Sequence, residues 1–120
     1  MAVILERVAA GDRIPLHRHD VDEAIIVVSG QGQYHLDAVE QQIGPGNVVF
    51  VPAGVTHGTL NDSDHELHLH AFFPSSQVRM EMLDRNPAPG TEDNPPMISV
   101  YDFITGEVTV VGPSDTNRAS

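Results

Sequence analysis

The chain has no cysteine, and all six of its basic residues are arginine, so lysine is missing too. Without a thiol there is no cysteine nucleophile, no cysteine-ligated zinc and no iron–sulfur cluster. Without an ammonium side chain there is no Schiff-base or phosphate-loop lysine. Positive charge is scarce in general. Seventeen Asp and Glu against six Arg give a net charge of -11, which makes nucleic acid and anionic membrane surfaces poor partners. Long apolar runs are missing as well: none approaches the ~18 residues of a spanning helix. The opening Met1-Ala2-Val3-Ile4-Leu5-Glu6-Arg7 lacks the basic, apolar and small-residue order of a leader. The lack of Cys agrees with a reducing compartment, and the expectation is a cytoplasmic protein. At 120 residues the chain makes one domain with one core. What is left for chemistry is carboxylates, two Tyr, some hydroxyls and seven His, the last in clear excess of ordinary usage.

Helical periodicity is nearly absent. Short β-branched and apolar runs recur between Gly, Pro, Asp and Asn, which predicts strands at 3–9, 14–19, 24–28, 33–36, 41–43, 48–51, 57–60 and 66–73. Strands this short, separated by turn residues about every ten positions, indicate an all-β sandwich or barrel. Residues 1–74 then form the barrel core, and 75–112 an extension packed on the same domain. In the extension, Ser75-Ser76 can cap a short helix over 77–83. The proline-rich stretch 86–96 is a loop. Residues 99–104 and 107–111 form a hairpin around Thr105-Gly106, able to cover the barrel or pair with another subunit. Residues 113–120 are expected to be a disordered tail.

His17 and His19 are two apart on a strand and therefore share a face. Glu23 follows at the start of the next apolar strand, and His57 opens a later one. Three imidazoles and a carboxylate converging inside a barrel would hold a divalent first-row metal. Glycines and prolines frame these residues in two patterns. The first is Gly11, His17, His19, Glu23 and Gly30; the second is Gly46, Pro52, Gly54, His57 and Asn61. Each has a chance probability on the order of 10⁻⁶ per start site at ordinary residue frequencies.

Together the two patterns resemble the paired motifs of the cupin superfamily, by motif over residues 11–61 and by strand pattern over about 3–74. The resemblance implies an antiparallel jelly-roll barrel, to which the short C-terminal helix and hairpin extension read above are added, and a monocupin that pairs as a homodimer. It implies His17, His19, Glu23 and His57 as ligands of one divalent transition metal per chain (Fe, Mn, Ni, Cu or Zn). Pro52 should stiffen the turn ahead of His57, and Asn61 should bond backbone in its turn.

The run His65-Glu66-Leu67-His68-Leu69-His70 alternates strictly, so His68 and His70 share one face and Leu67 and Leu69 the other. Parity leaves both orientations open. If the His face lines the cavity, His68 and His70 are candidate catalytic acid–base groups; if not, they are exposed. Of Tyr34 and His35 only one can face inward, and Tyr34 is the third candidate for moving a proton. Ile25, Val27, Val49 and Phe50 read as cavity walls that suit a small apolar or aromatic molecule. Ile25 stands where cupin lyases acting on sulfonium compounds place a tyrosine, which argues against that activity. The expected function is a metal-dependent enzyme resembling cupin dioxygenases. The alternatives are a non-redox isomerase, lyase or cyclase, and a ligand-binding module without turnover.

Overall fold

A computed structural model describes residues 1–114, and among these the regular structure is entirely β. Eleven strands follow in order. They are β1 (Ala2–Val8), β2 (Arg13–His19), β3 (Glu23–Ser29), β4 (Gly32–Leu36), β5 (Val39–Ile43) and β6 (Val48–Val51), then β7 (His57–Leu60), β8 (Leu67–Phe73), β9 (Gln77–Met82), β10 (Met97–Asp102) and β11 (Val108–Pro113). They pair antiparallel in two sheets: a four-stranded sheet β1-β8-β3-β6 and a seven-stranded sheet β11-β10-β9-β2-β7-β4-β5. This is the all-β sandwich or barrel that the strand spacing indicates, in the jelly-roll form that the resemblance implies. Among the described residues no helix is long and apolar enough to cross a membrane.

The two sheets meet over alternating inward side chains. Leu67, Leu69, Ala71 and Phe73 leave β8 on one face, and Ile25 and Val27 leave β3 toward the same interior. Tyr34, Ile43 and Val51 close the core from the remaining strands. A chain reversal at Gly30 fixes how β3 hands over to β4. There φ is +87°, and a Cβ would lie 2.5 Å from the Glu66 carbonyl oxygen, so only glycine fits. Asn61 is fully buried and ties the β7 end together. Its Nδ2 donates to the carbonyls of Val8 (2.9 Å) and His65 (2.7 Å), while Oδ1 accepts from Ser63. These bonds satisfy backbone acceptors that the turn would otherwise bury unpaired.

The extension differs from expectation in its first element. Residues 77–82 are strand β9, not a helix. Val78 is fully buried while Gln77 and Arg79 are exposed, a period of two, and β9 pairs with β2 through His17↔Met82 and His19↔Met80. The ladder on the open edge of β2 is stronger than the weak helical pattern of seven residues. Ser75 does accept a bond from the Gln77 N–H (3.1 Å), as a turn and not a helix cap. The expected hairpin is present as β10–β11. The expected tail begins later than its composition suggests: Pro113 ends β11 and the Ser114 N–H donates to the Pro96 carbonyl (2.8 Å). Residues 115–120, the rest of that expected tail, lie outside the described residues.

Candidate metal centre

The site lies on the inner face of the seven-stranded sheet. His17 and His19 leave β2 together, and His57, the first residue of β7, is the cross-strand partner of His17. Glu23, the first residue of β3, enters from the opposite sheet. All four side chains are buried. Ring centroids lie 4.1 Å apart for His17–His57, 4.6 Å for His19–His57 and 5.7 Å for His17–His19. The three imidazoles each offer a ligand atom within 4.8 Å of the others.

The orientation of each ring is set by its backbone. His17 Nδ1 lies 2.7 Å from the Pro15 carbonyl, His19 Nδ1 3.0 Å from the Val21 carbonyl, and His57 Nδ1 2.9 Å from the Val55 carbonyl. A carbonyl only accepts, so each Nδ1 must be the protonated nitrogen. In a neutral ring Nε2 then carries a lone pair, and the rings turn it inward. Glu23 Oε1, itself an acceptor, sits 3.1 Å from His19 Nε2 and 3.2 Å from His57 Nε2. His57 Nε2 is buried without an aligned hydrogen-bond partner. Acceptors therefore converge where no donor is supplied, and such a cluster is stable only around a cation or a proton. The donor set of neutral imidazoles and a carboxylate fits a divalent transition metal.

Electrostatics agree with that use. Burial, reinforced by the neighbouring His57, lowers the His17 pKa to about 4, so this ring is neutral and able to ligate. Burial works to raise Glu23, but without a metal the hydrogen bonds and charge of His19 and His57, with a proton on Nε2, outweigh that and bring it to about 2, a proton whose place a bound cation would take. Glu23 is thus held as a carboxylate.

Two further polar groups face the same interior. Tyr34 is buried, its ring is stacked 6.3 Å from His57, and its hydroxyl has no partner. Its pKa is pushed up by burial and then by the charges of Glu23 and Glu6. Glu6, on the β1 face that also carries Ala2, Ile4 and Val8, is the group the motifs do not reveal. Burial and the charge of Glu23 raise its pKa to about 7, against a smaller opposite pull from His19. The signal was present in the alternation Ile4-Glu6-Val8 against Val3-Leu5-Arg7, which puts a lone acid on an apolar face.

Other expected residues lie elsewhere. His68 and His70 are on the outer face of β8, because Leu67, Leu69 and Ala71 take the inner one. The proton-moving role expected of them on a cavity wall has no geometric basis. His68 instead meets Glu66 (Nε2–Oε1 2.6 Å) at the surface. Phe50 also points outward, 58% exposed, so the apolar wall consists of Ile25, Val27 and the half-buried Val49. A surface cavity of about 500 Å³ opens against β2, β4 and β7, lined in part by Pro15, Tyr34 and Thr59 and not by the four candidate ligands or by Ile25, Val27 and Val49. That volume suits a small molecule.

A two-sheet β-barrel with a buried three-histidine cluster able to hold a metal ion defines the class of fold and site. Residues 4–73 match the family described as Cupin domain, and the chain belongs to it. An auxin-binding protein T85 of Nicotiana tabacum is 29% identical over 93 residues, covering 68% of this chain. The chain spans about half (50%) of that tobacco protein's length. Among solved structures, a predicted oxalate decarboxylase of Thermotoga maritima superposes with a TM-score of 0.57 at 24% identity, over 59% of this chain and 63% of that one. The DMSP lyase DddQ of Ruegeria pomeroyi superposes with a TM-score of 0.58 at 24% identity, over 62% of this chain and 38% of that one. At this identity the structural likeness establishes the fold.

Proposed function

We propose that this protein is a metal-dependent enzyme acting on a small organic molecule, with His17, His19, His57 and Glu23 holding one divalent transition metal. The observation that carries the reading is a cluster of three imidazoles, each oriented by an Nδ1–carbonyl bond, whose ligand atoms lie within 4.8 Å of one another, with Glu23 Oε1 3.1 and 3.2 Å from two of them. A bound metal would supply Lewis acidity and, for a redox-active ion, electron transfer to a coordinated substrate. The chain's own residues keep the ligands rigid and exclude water with Ile25, Val27 and Phe73, which suits an apolar or aromatic substrate. The reading follows the small cupin dioxygenases that the motifs resemble.

A non-redox reading, as isomerase, lyase or cyclase, is favoured by one specific observation. The unpartnered Tyr34 hydroxyl and the Glu6 carboxyl both face the interior, and such groups move protons. Neighbours described as a decarboxylase and a lyase are compatible with it. A ligand-binding module without turnover, in the manner the tobacco protein's name suggests, is the third reading.

Elemental analysis of untagged protein is the deciding experiment. About one transition metal per chain, lost in His57→Ala, is expected; full metal retention in that variant would mean that the ligand set is wrong. Turnover that persists without dioxygen would then select the non-redox reading over the oxygenase one.

A further inference from the structure

The cavity of about 500 Å³ lies on the side of the seven-stranded sheet away from the candidate metal centre. Its floor follows from strand parity. Tyr34, His57 and Thr59 are buried toward the interior, so His35, Gly58 and Leu60 between and beyond them face out. Gly58 puts no side chain into the space, and a Cβ there would lie 3.1 Å from Leu16 Cδ2, so Leu16 and Leu60 make the floor apolar. Residues 84–87 form a side wall tied to β2. The Leu83 and Asp84 N–H groups donate to the Leu16 carbonyl (2.9 and 3.3 Å), and the Leu16 N–H donates to Asp84 Oδ2 (3.3 Å). Two of the chain's six Arg, Arg13 and Arg85, reach this cavity. Seventeen carboxylates are available to pair with six Arg, and Arg7 and Arg18 do pair, with Glu66 and Glu81. Among the described residues, Arg13 and Arg85 do not. Arg85 Nη1 donates to the Glu92 carbonyl (2.6 Å), a neutral acceptor that leaves its charge uncompensated, and the Arg13 guanidinium has no partner among those residues. The cavity's own carboxylates are turned to other groups, Asp84 to the Leu16 N–H and Glu40 to His35 (3.5 Å).

The geometry points to a second binding site, for a small organic monoanion: a carboxylate taken by Arg13 and Arg85, on an apolar body that lies over Leu16 and Leu60. Three features select that chemistry. A guanidinium matches a carboxylate through two parallel N–H···O bonds, and two unpaired ones at one cavity supply the charge. The apolar floor rewards a ligand with a hydrocarbon body, which a small inorganic anion does not have. Asp84 and Glu40 at the same cavity oppose a second negative charge, which weighs against a phosphate monoester. The cavity's volume holds one such molecule. None of the four candidate metal ligands lines it, and the inference is independent of the metal chemistry.

Titration of the isotope-labelled full chain with sodium benzoate at neutral pH and fixed ionic strength, followed by amide and Arg Nε–H chemical shifts, tests it. Saturable shifts at Arg13, His35, Gly58 and Leu60 are expected, with a dissociation constant on the order of 1 mM or below. Arg13→Gln and Arg85→Gln should each weaken binding about 10-fold or more, the loss of a charge-assisted bond. Arg79→Gln, on β9 outside the cavity, should leave it unchanged. Benzyl alcohol, which lacks the charge, and phenyl phosphate, largely a dianion at this pH, should both bind several-fold more weakly than benzoate. EDTA should leave the benzoate affinity as it was. No saturation by about 20 mM benzoate, equal affinity for benzyl alcohol, tighter binding of phenyl phosphate, unchanged affinity in both Arg variants, or shifts centred on His17, His19 and His57 that EDTA abolishes would each overturn the inference.

Discussion

His17 and His19 leave β2 toward the interior, whereas His68 and His70, with the same one-residue spacing on β8, leave toward the outside. Both pairs are His-x-His on a central strand of an antiparallel sheet. The residue between them decides the difference. Arg18 between the first pair points outward and meets Glu81 at 2.8 Å, while Leu69 between the second is fully buried. A strand offers one face to the core, and the hydrophobic partner takes it whenever there is one. Where the intervening residue is charged, the histidines go inside, and their burial must then be compensated by Nδ1–carbonyl bonds and by something at Nε2. The outer pair carries no such obligation.

The comparison is broken most forcefully by removing one imidazole from each pair. His17→Ala or His57→Ala should lower metal affinity by more than about 100-fold, since losing even a supporting contact outside the ligand shell costs 10–100-fold. His68→Ala should leave metal content at the wild-type level. Titration with metal followed by elemental analysis reads both. Equal losses from the two pairs would mean that position on the sheet face does not define the site.

Much of this was legible beforehand because the motif residues are constrained twice. Gly30, Asn61 and Pro52 shape turns, and His17, His19, Glu23 and His57 lie on the strands those turns align, so their joint spacing carries the resemblance that implies the ligand set. Strand parity was legible too, but its sign was not. Leu69 between the two histidines favours burying the leucine face, but a barrel interior also holds polar walls, as His17 and His19 show. Only the packing of β8 between β1 and β3 shows which face is buried. Glu6 was missed for the same reason: the alternation puts it on the Ile4–Val8 face, but an acid there reads as solvent-facing until β1 is laid beside β8. The helix expected at 77–83 failed because the unpaired edge of β2 lies sixty residues upstream in sequence and could not enter a local reading.

Glu6 sharpens the contrast between inside and outside in energetic terms. Its pKa is raised from 4.5 to about 7 in the fold, so between those values the unfolded chain ionises first and the folded protein holds the extra proton. Stability therefore falls as pH rises from about 4.5 to 7 and stays lowered above that. Glu6→Gln should remove the penalty. In metal-free protein at pH 8 it should stabilise by about 2 kcal/mol, or roughly 8–12 °C in Tm for a domain of this size, and it should change little at pH 4. Bound metal should shrink the gain, because a cation near Glu23 favours the Glu6 carboxylate. Melting curves at both pH values, with and without metal, test the sign. A variant less stable than wild type at pH 8 would show that Glu6 is a supporting carboxylate.

Tyr34 gives a smaller effect of the same kind. Its buried hydroxyl has no partner, so Tyr34→Phe should stabilise the metal-free protein by about 1 kcal/mol, read by denaturant midpoint. If Tyr34 moves a proton in turnover, the same variant loses activity while gaining stability, a split that a purely packing role does not produce.

The smallest effect belongs to the outer pair and closes the comparison from the other side. His68 is half-buried and bonded to Glu66 at 2.6 Å, with Arg7 3.5 Å from the same carboxylate. That carboxylate keeps one cation when His68 is removed and can take water in its place, so no buried charge is stranded. Surface pairs of this kind contribute about 0–1 kcal/mol, and His68→Ala should shift stability by no more than about 0.5 kcal/mol, with the loss fading at high salt. A cost of several kcal/mol that salt does not reduce would place His68 in a desolvated network. The outer histidines would then be structural in their own right.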